Sequence, residues 1–173
     1  LDDANIEKAS KTAIAARFFN TGQSCIAAKR FLVHEAVHDL FIDKVKNEIN
    51  NLVMDNPLLE TTQIGPLAKR EFLNDLDKLV QSSIKDGAQC IIGGGIEKNG
   101  FYKPTLLINV KEDMSVFKNE TFGPVFCVTK IKSVDEAINL ANNTQYGLGG
   151  SIWTENISLA RELTSKINTG ALF

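Results

Sequence analysis

Short apolar runs alternate along this chain with segments of helical period, and that alternation leaves few folds open to it. Arg30-Phe31-Leu32-Val33, Gln89-Cys90-Ile91-Ile92 and residues 105–110, 125–131 and 149–154 read as strands, and a last strand begins at Gly170. Between them lie the helical stretches. Ile6, Ala9, Ala13 and Ala16 recur at three- and four-residue spacing, with Asp2 and Asp3 where a helix start favours negative charge. Val37, Leu40, Phe41, Val45, Ile49 and Leu52 form the inner face of a helix predicted over residues 36–52. Phe72, Leu76, Leu79, Val80 and Ile84 do the same for residues 67–86. Ser133 followed by Glu136 is a capping box for a helix over 134–143, and Asn156 caps one over 157–167. Strands separated by helices of this length need crossover connections. The reading is therefore an α/β fold, a mostly parallel open sheet with helices on both faces.

Composition narrows the function classes. A net charge of −2 spread along the chain supplies no basic face for nucleic acid. No apolar run approaches the ~20 residues of a membrane span, and no basic-apolar leader opens the chain. The three cysteines, Cys25, Cys90 and Cys127, are scattered and odd in number, which fits a reducing compartment and a cytoplasmic location. The chain starts at Leu1 without Met and stops inside the apolar run Gly170-Ala171-Leu172-Phe173. We expect a single domain over residues 1–173, cut from a longer protein at both ends.

One cysteine stands apart. Cys25 lies in a polar, small-residue loop after a helix, whereas Cys90 and Cys127 are flanked by aliphatic residues and read as small core hydrophobes. His34 and His38 are the only histidines, and nothing marks them as base and orienter for a cysteine protease. His34-Glu35-Ala36-Val37-His38 matches H-E-x-x-H literally. That zinc signature needs both histidines on one helix, and here His34 falls at a strand end, so no metal is expected. Gly93-Gly94-Gly95 follows a strand but opens no helix, which makes it a hairpin or surface turn and not a phosphate loop.

Phe19-Asn20-Thr21-Gly22-Gln23-Ser24-Cys25-Ile26-Ala27-Ala28-Lys29-Arg30 resembles the cysteine motif of the aldehyde dehydrogenase superfamily. Glu120-Thr121-Phe122-Gly123-Pro124-Val125 resembles its second signature, at the interval the family shows. The opening Leu1-Asp2-Asp3-Ala4-Asn5, the segment Tyr146-Gly147-Leu148-Gly149-Gly150-Ser151 and the pair Thr169-Gly170 resemble further family segments in the same order. Within the family, the cysteine string is most similar to bacterial succinate-semialdehyde dehydrogenases.

The resemblance implies a site. Cys25 is the nucleophile toward an aldehyde, Glu120 accepts hydrogen bonds from the nicotinamide ribose of NAD or NADP, and Phe122 packs beside the nicotinamide ring. Asn20 and Gln23 line the substrate path or hold the loop. Lys29 and Arg30 are near enough to Cys25 to lower its pKa or to meet a substrate carboxylate, and Arg30 also suits bracing the loop through backbone carbonyls. The family's general base, its oxyanion amide and its dinucleotide-binding domain are expected upstream of Leu1. Family members form homodimers or homotetramers, and the same is implied for the whole protein. The rival readings are an enzyme that releases its acyl group to CoA, an aldehyde dehydrogenase with another substrate, and a silent structural fragment when the chain is isolated.

Overall fold

The computed structural model describes all residues, 1–173. The chain runs α1 (Ile6–Phe18), β1 (Arg30–His34), α2 (Glu35–Asn50), α3 (Arg70–Lys85), β2 (Gln89–Ile92), β3 (Thr105–Ile108), α4 (Ser115–Lys118), β4 (Val125–Ile131), α5 (Val134–Asn142), β5 (Gly149–Gly150), α6 (Ile157–Thr164) and β6 (Ala171–Leu172). Four strands form one sheet in the order β1-β4-β3-β2. β1 and β3 flank β4 in parallel, and β5 and β6 make a separate two-stranded parallel pair. No helix is long and apolar enough to cross a membrane.

β4 explains the layering. All but one of its seven residues are buried, because helices cover the sheet on both sides. Val125 and Cys127 join the core under α3 and α4, and Phe126 and Val128 join the core under α1 and α2. The period-two alternation of a strand sends neighbours to opposite faces. Phe31 of β1 stacks on Phe126 with ring centroids 3.7 Å apart, and Phe18 of α1 and Phe41 of α2 close around the same ring.

The chain turns back in a hairpin at Gly93-Gly94-Gly95, as read, and three other local expectations are corrected. β2 runs antiparallel to β3, since residues 93–104 form a hairpin-like connection with no crossover helix. Gly93 turns that corner at φ +72°, where an added Cβ would lie 2.3 Å from the Pro104 carbonyl oxygen. The strand read over 149–154 pairs only at Gly149 and Gly150. Asp2 and Asp3 do not start α1. Asn5 caps it by accepting from the Lys8 N–H, while the Asp3 carboxylate accepts from Thr154 Oγ1 and from the N–H groups of Glu155 and Asn156. Finally, Leu40 and Phe72 are exposed. Each sits one residue, about 100° of helix, off the buried stripe. Those stripes are His38, Phe41, Ile42, Val45 and Ile49 on α2, and Leu73, Leu76, Val80 and Ser83 on α3.

Candidate active site

Two loops enter neighbouring parallel strands at the same end of the sheet. Residues 19–29 lead into β1 and residues 119–124 lead into β4, and Arg30 lies opposite Cys127 in the register. Parallel pairing therefore brings Cys25 and Glu120 to one edge.

The cysteine loop is built from unusual backbone. After α1 ends, Asn20, Thr21 and Gly22 all take positive φ, at 49°, 58° and 75°. Asn tolerates this region, but a β-branched Thr pays about 1–2 kcal/mol there. Specific bonds hold the strain. Thr21 Oγ1 accepts from the Gly65 N–H at 3.0 Å, and Asn20 Nδ2 donates to the Gln23 carbonyl at 3.0 Å. Gln23 Oε1 accepts from the Ala68 N–H at 2.8 Å, anchoring the loop to the segment before α3. At Gly22 an added Cβ would lie 2.3 Å from the Gly123 carbonyl oxygen and 2.4 Å from Arg17 Nη2, so only glycine lets the two loops meet. A turn closed by the Ala27 N–H on the Ser24 carbonyl then presents Cys25 and Ile26 to solvent.

Arg17, in the last turn of α1, joins the two loops from beneath. It is fully buried. Its Nη1 donates to the Ala28 carbonyl at 2.9 Å, and its Nη2 serves the carbonyls of Gly22, Thr121 and Gly123 at 2.8, 3.1 and 2.9 Å. The planar guanidinium fork suits this task, because it offers several donors in fixed directions. No carboxylate touches it. Burial pushes its pKa down to about 10, which still leaves it cationic at neutral pH.

Lys29 joins the loops from above. Its Nζ lies 3.0 Å from Glu120 Oε1 and within 3.3 Å of the carbonyl oxygens of Ser24, Cys25 and Ala27. Three N–H bonds are thus shared among four acceptors. Glu120 Oε2 makes no hydrogen bond or ion pair within the chain, and Phe122, two residues on, is exposed. The edge thus carries an accessible thiol, a partly exposed carboxylate and an exposed aromatic ring.

A sequence model of the aldehyde dehydrogenase family matches residues 1–173. The chain belongs to that family. It is 43% identical over its whole length to an aldehyde dehydrogenase of Paenarthrobacter nicotinovorans, and 37% identical to a succinate-semialdehyde dehydrogenase (NADP+) of Mycobacterium avium. The crystal structure of succinate-semialdehyde dehydrogenase from Burkholderia pseudomallei superposes with a TM-score of 0.97 at 32% identity, over 99% of this chain and 36% of that one. The chain spans 38% of the Paenarthrobacter relative and 37% of the Mycobacterium one.

Set on this aldehyde dehydrogenase framework, Asn20, Gln23, Cys25, Glu120 and Phe122 gather at one edge, and Arg30 does not join them. As the first residue of β1 it shares the sheet face of Leu32, which α5 covers. Its guanidinium donates to the carbonyls of Leu140 and Ala141 at 2.9 and 3.0 Å, at the end of α5, and lies over the Phe117 ring. The histidines take separate structural places. His34 Nδ1 accepts from the Ala36 N–H at the start of α2, and buried His38 holds Asp39. No three His, Cys, Asp or Glu side chains come together as a metal site.

Sequence reasoning missed Arg17. A signal existed, because Ser10, Ile14 and Arg17 follow the i, i+4, i+7 spacing of the stripe that α1 buries. The three thiols differ in their surroundings. Burial raises the Cys90 thiol and pushes Cys127 up to about 12, while Cys25 is exposed. In the folded chain, iodoacetamide is expected to label Cys25 first, Cys90 slowly and Cys127 only on unfolding. Peptide masses taken over a labelling time course check this order, and early label on Cys127 would contradict it.

Proposed function

We propose that the full-length protein oxidises an aldehyde to its carboxylic acid with NAD or NADP, that succinate semialdehyde is its substrate, and that Cys25 is the nucleophile. The observation that carries the reading is the convergence of exposed Cys25 with Glu120 and Phe122 at one sheet edge, tied by Lys29. The residues present fit a dinucleotide. Glu120 has an unengaged oxygen to accept from vicinal ribose hydroxyls, and Phe122 offers an open aromatic face. When bound, the nicotinamide supplies a hydride acceptor.

The chain's own residues then act in order. The Cys25 thiolate adds to the aldehyde carbon, forming a C–S bond and moving the carbonyl electron pair onto oxygen. The Cys25 N–H donates no hydrogen bond within the chain and is free to hold that oxyanion. Loss of hydride from the same carbon restores the carbonyl as a thioester on Sγ. Water then cleaves the thioester, releasing the acid and regenerating the thiolate. The base that activates this water, the second oxyanion donor and most of the dinucleotide site belong to segments outside residues 1–173. The same proposal makes the isolated chain inactive and the whole protein a homodimer or homotetramer.

The test uses the full-length protein. Reduced nicotinamide is expected to form with succinate semialdehyde in the absence of CoA, faster than with uncharged aldehydes of the same length. A strict requirement for CoA, or a preference for uncharged aldehydes, would overturn the reading in that respect. Glu120→Gln is expected to raise the coenzyme Kd about tenfold, with the aldehyde KM little changed, because a charge-assisted acceptor is replaced by a neutral one.

A further inference from the structure

Lys29 touches both halves of the proposed site, yet the reaction outlined above gives it no task. Its side chain is only 16% exposed, and the Glu120 side chain it meets is 32% exposed. The 3.0 Å approach to Glu120 Oε1 engages one carboxylate oxygen and leaves Oε2 without a polar partner in the chain. The same ammonium lies 3.3 Å from the Cys25 carbonyl oxygen. An ammonium on a flexible stem needs fixing to position anything. Here the carbonyls of Ser24 and Ala27, at 3.3 and 3.0 Å, supply that fixing. Arg17 offers a contrast. It bonds backbone alone and sets the spacing of the loops, whereas Lys29 grips a side chain whose carboxylate has no other polar partner in the chain.

We infer that Lys29 is a positioning residue for the dinucleotide. It selects the Glu120 orientation that presents Oε2 to the ribose, and it couples that orientation to the turn bearing Cys25. The inference rests on the reading of Glu120 as the ribose acceptor. Removing the positive charge frees the carboxylate to rotate, so the coenzyme must order it on binding, and affinity falls through Glu120 alone.

The experiment measures coenzyme Kd, by the fluorescence of the reduced nicotinamide, on the full-length protein and its variants. Lys29→Met and Lys29→Gln are expected to raise Kd about tenfold, with the aldehyde KM within about twofold, a loss of the size typical for a hydrogen bond to a charged group. Lys29→Arg is expected to restore most of the affinity. Lys29→Gln keeps a donor for the turn carbonyls, so it separates loss of charge from loss of the turn. In a Glu120→Gln background, Lys29→Gln is expected to add less than about twofold, since both changes break one interaction. An unchanged Kd in Lys29→Gln beside a raised Kd in Glu120→Gln overturns the Lys29 inference and leaves the Glu120 reading standing. Additive losses in the double variant overturn it equally. An unchanged Kd in Glu120→Gln overturns both.

Discussion

Cys25→Ala in the full-length protein is expected to lower kcat by roughly 10⁴–10⁶-fold, the scale seen when a covalent nucleophile is removed. Coenzyme Kd is expected to stay within about twofold. The expectation follows from the build of the loop. Cys25 is exposed on a turn whose shape is set by Arg17, Asn20, Thr21, Gly22 and Gln23, and the Sγ atom holds none of those contacts. Truncation to alanine therefore removes the reactive atom and leaves its support in place. Steady-state rates beside coenzyme titrations check the two halves separately. A variant that still turned over at a few per cent of the parent rate would place the covalent chemistry elsewhere.

The second large effect is on stability. Arg17→Met replaces the buried guanidinium with an apolar chain of similar length. The carbonyls of Gly22 and Ala28 then lose their donor, while those of Thr121 and Gly123 keep only the bonds they accept from the N–H groups of Gly123 and Val125. A buried acceptor left unpaired costs about 1–3 kcal/mol, so with two left unpaired the expected loss is about 2–5 kcal/mol. Two features set the sign. Met brings no desolvation penalty of its own, which offsets part of the loss. The strained Asn20-Thr21-Gly22 backbone, however, is held in part through Arg17 and would relax without it. Arg17→Lys is expected to recover only part of the stability, since an ammonium lacks the planar fork that reaches both loops. Urea denaturation midpoints measure the loss, and an unchanged midpoint in Arg17→Met would show that the buried cation is not what joins the loops.

Much of the layering was legible because it rests on local patterns. The near-continuous apolar run of β4 marks a strand covered on both faces, and the structure places separate cores above and below it. The Ser133 cap is also local, though the return bond of Glu136 goes to the residue before the cap and not to the cap itself. Ser133 Oγ accepts from the Glu136 N–H at 3.2 Å, and Glu136 Oε2 accepts from the Lys132 N–H at 2.7 Å. The direction of β2 was legible only through the turn signal at Gly93-Gly94-Gly95, which left a hairpin and a surface turn both open. A turn between residues 93 and 104 decides it, and apolar patterning carries no arrow.

The site divides along the same line. The two motif strings stand out in sequence as resemblance, and the parallel pairing of β1 with β4 gives the physical reason they meet. Apart from the Lys29–Glu120 ion pair, the ties between them are side chain to backbone across more than a hundred residues, as from Arg17 to Thr121 and Gly123. Such bonds leave no mark in composition or periodicity, because every residue offers a carbonyl. The destination of Arg30 is hidden for a similar reason. Its closeness to Cys25 in sequence says nothing of the sheet face on which its side chain emerges.

The covalent role of Cys25 can be read directly from peptide masses. The full-length protein would be mixed with coenzyme and succinate semialdehyde, quenched in acid within the first turnovers, and digested. An added succinyl mass is expected on the peptide that contains Cys25, absent when coenzyme is omitted and absent in Cys25→Ala. Continued turnover with no adduct on that peptide, or with the adduct on Cys90 or another side chain, would contradict it.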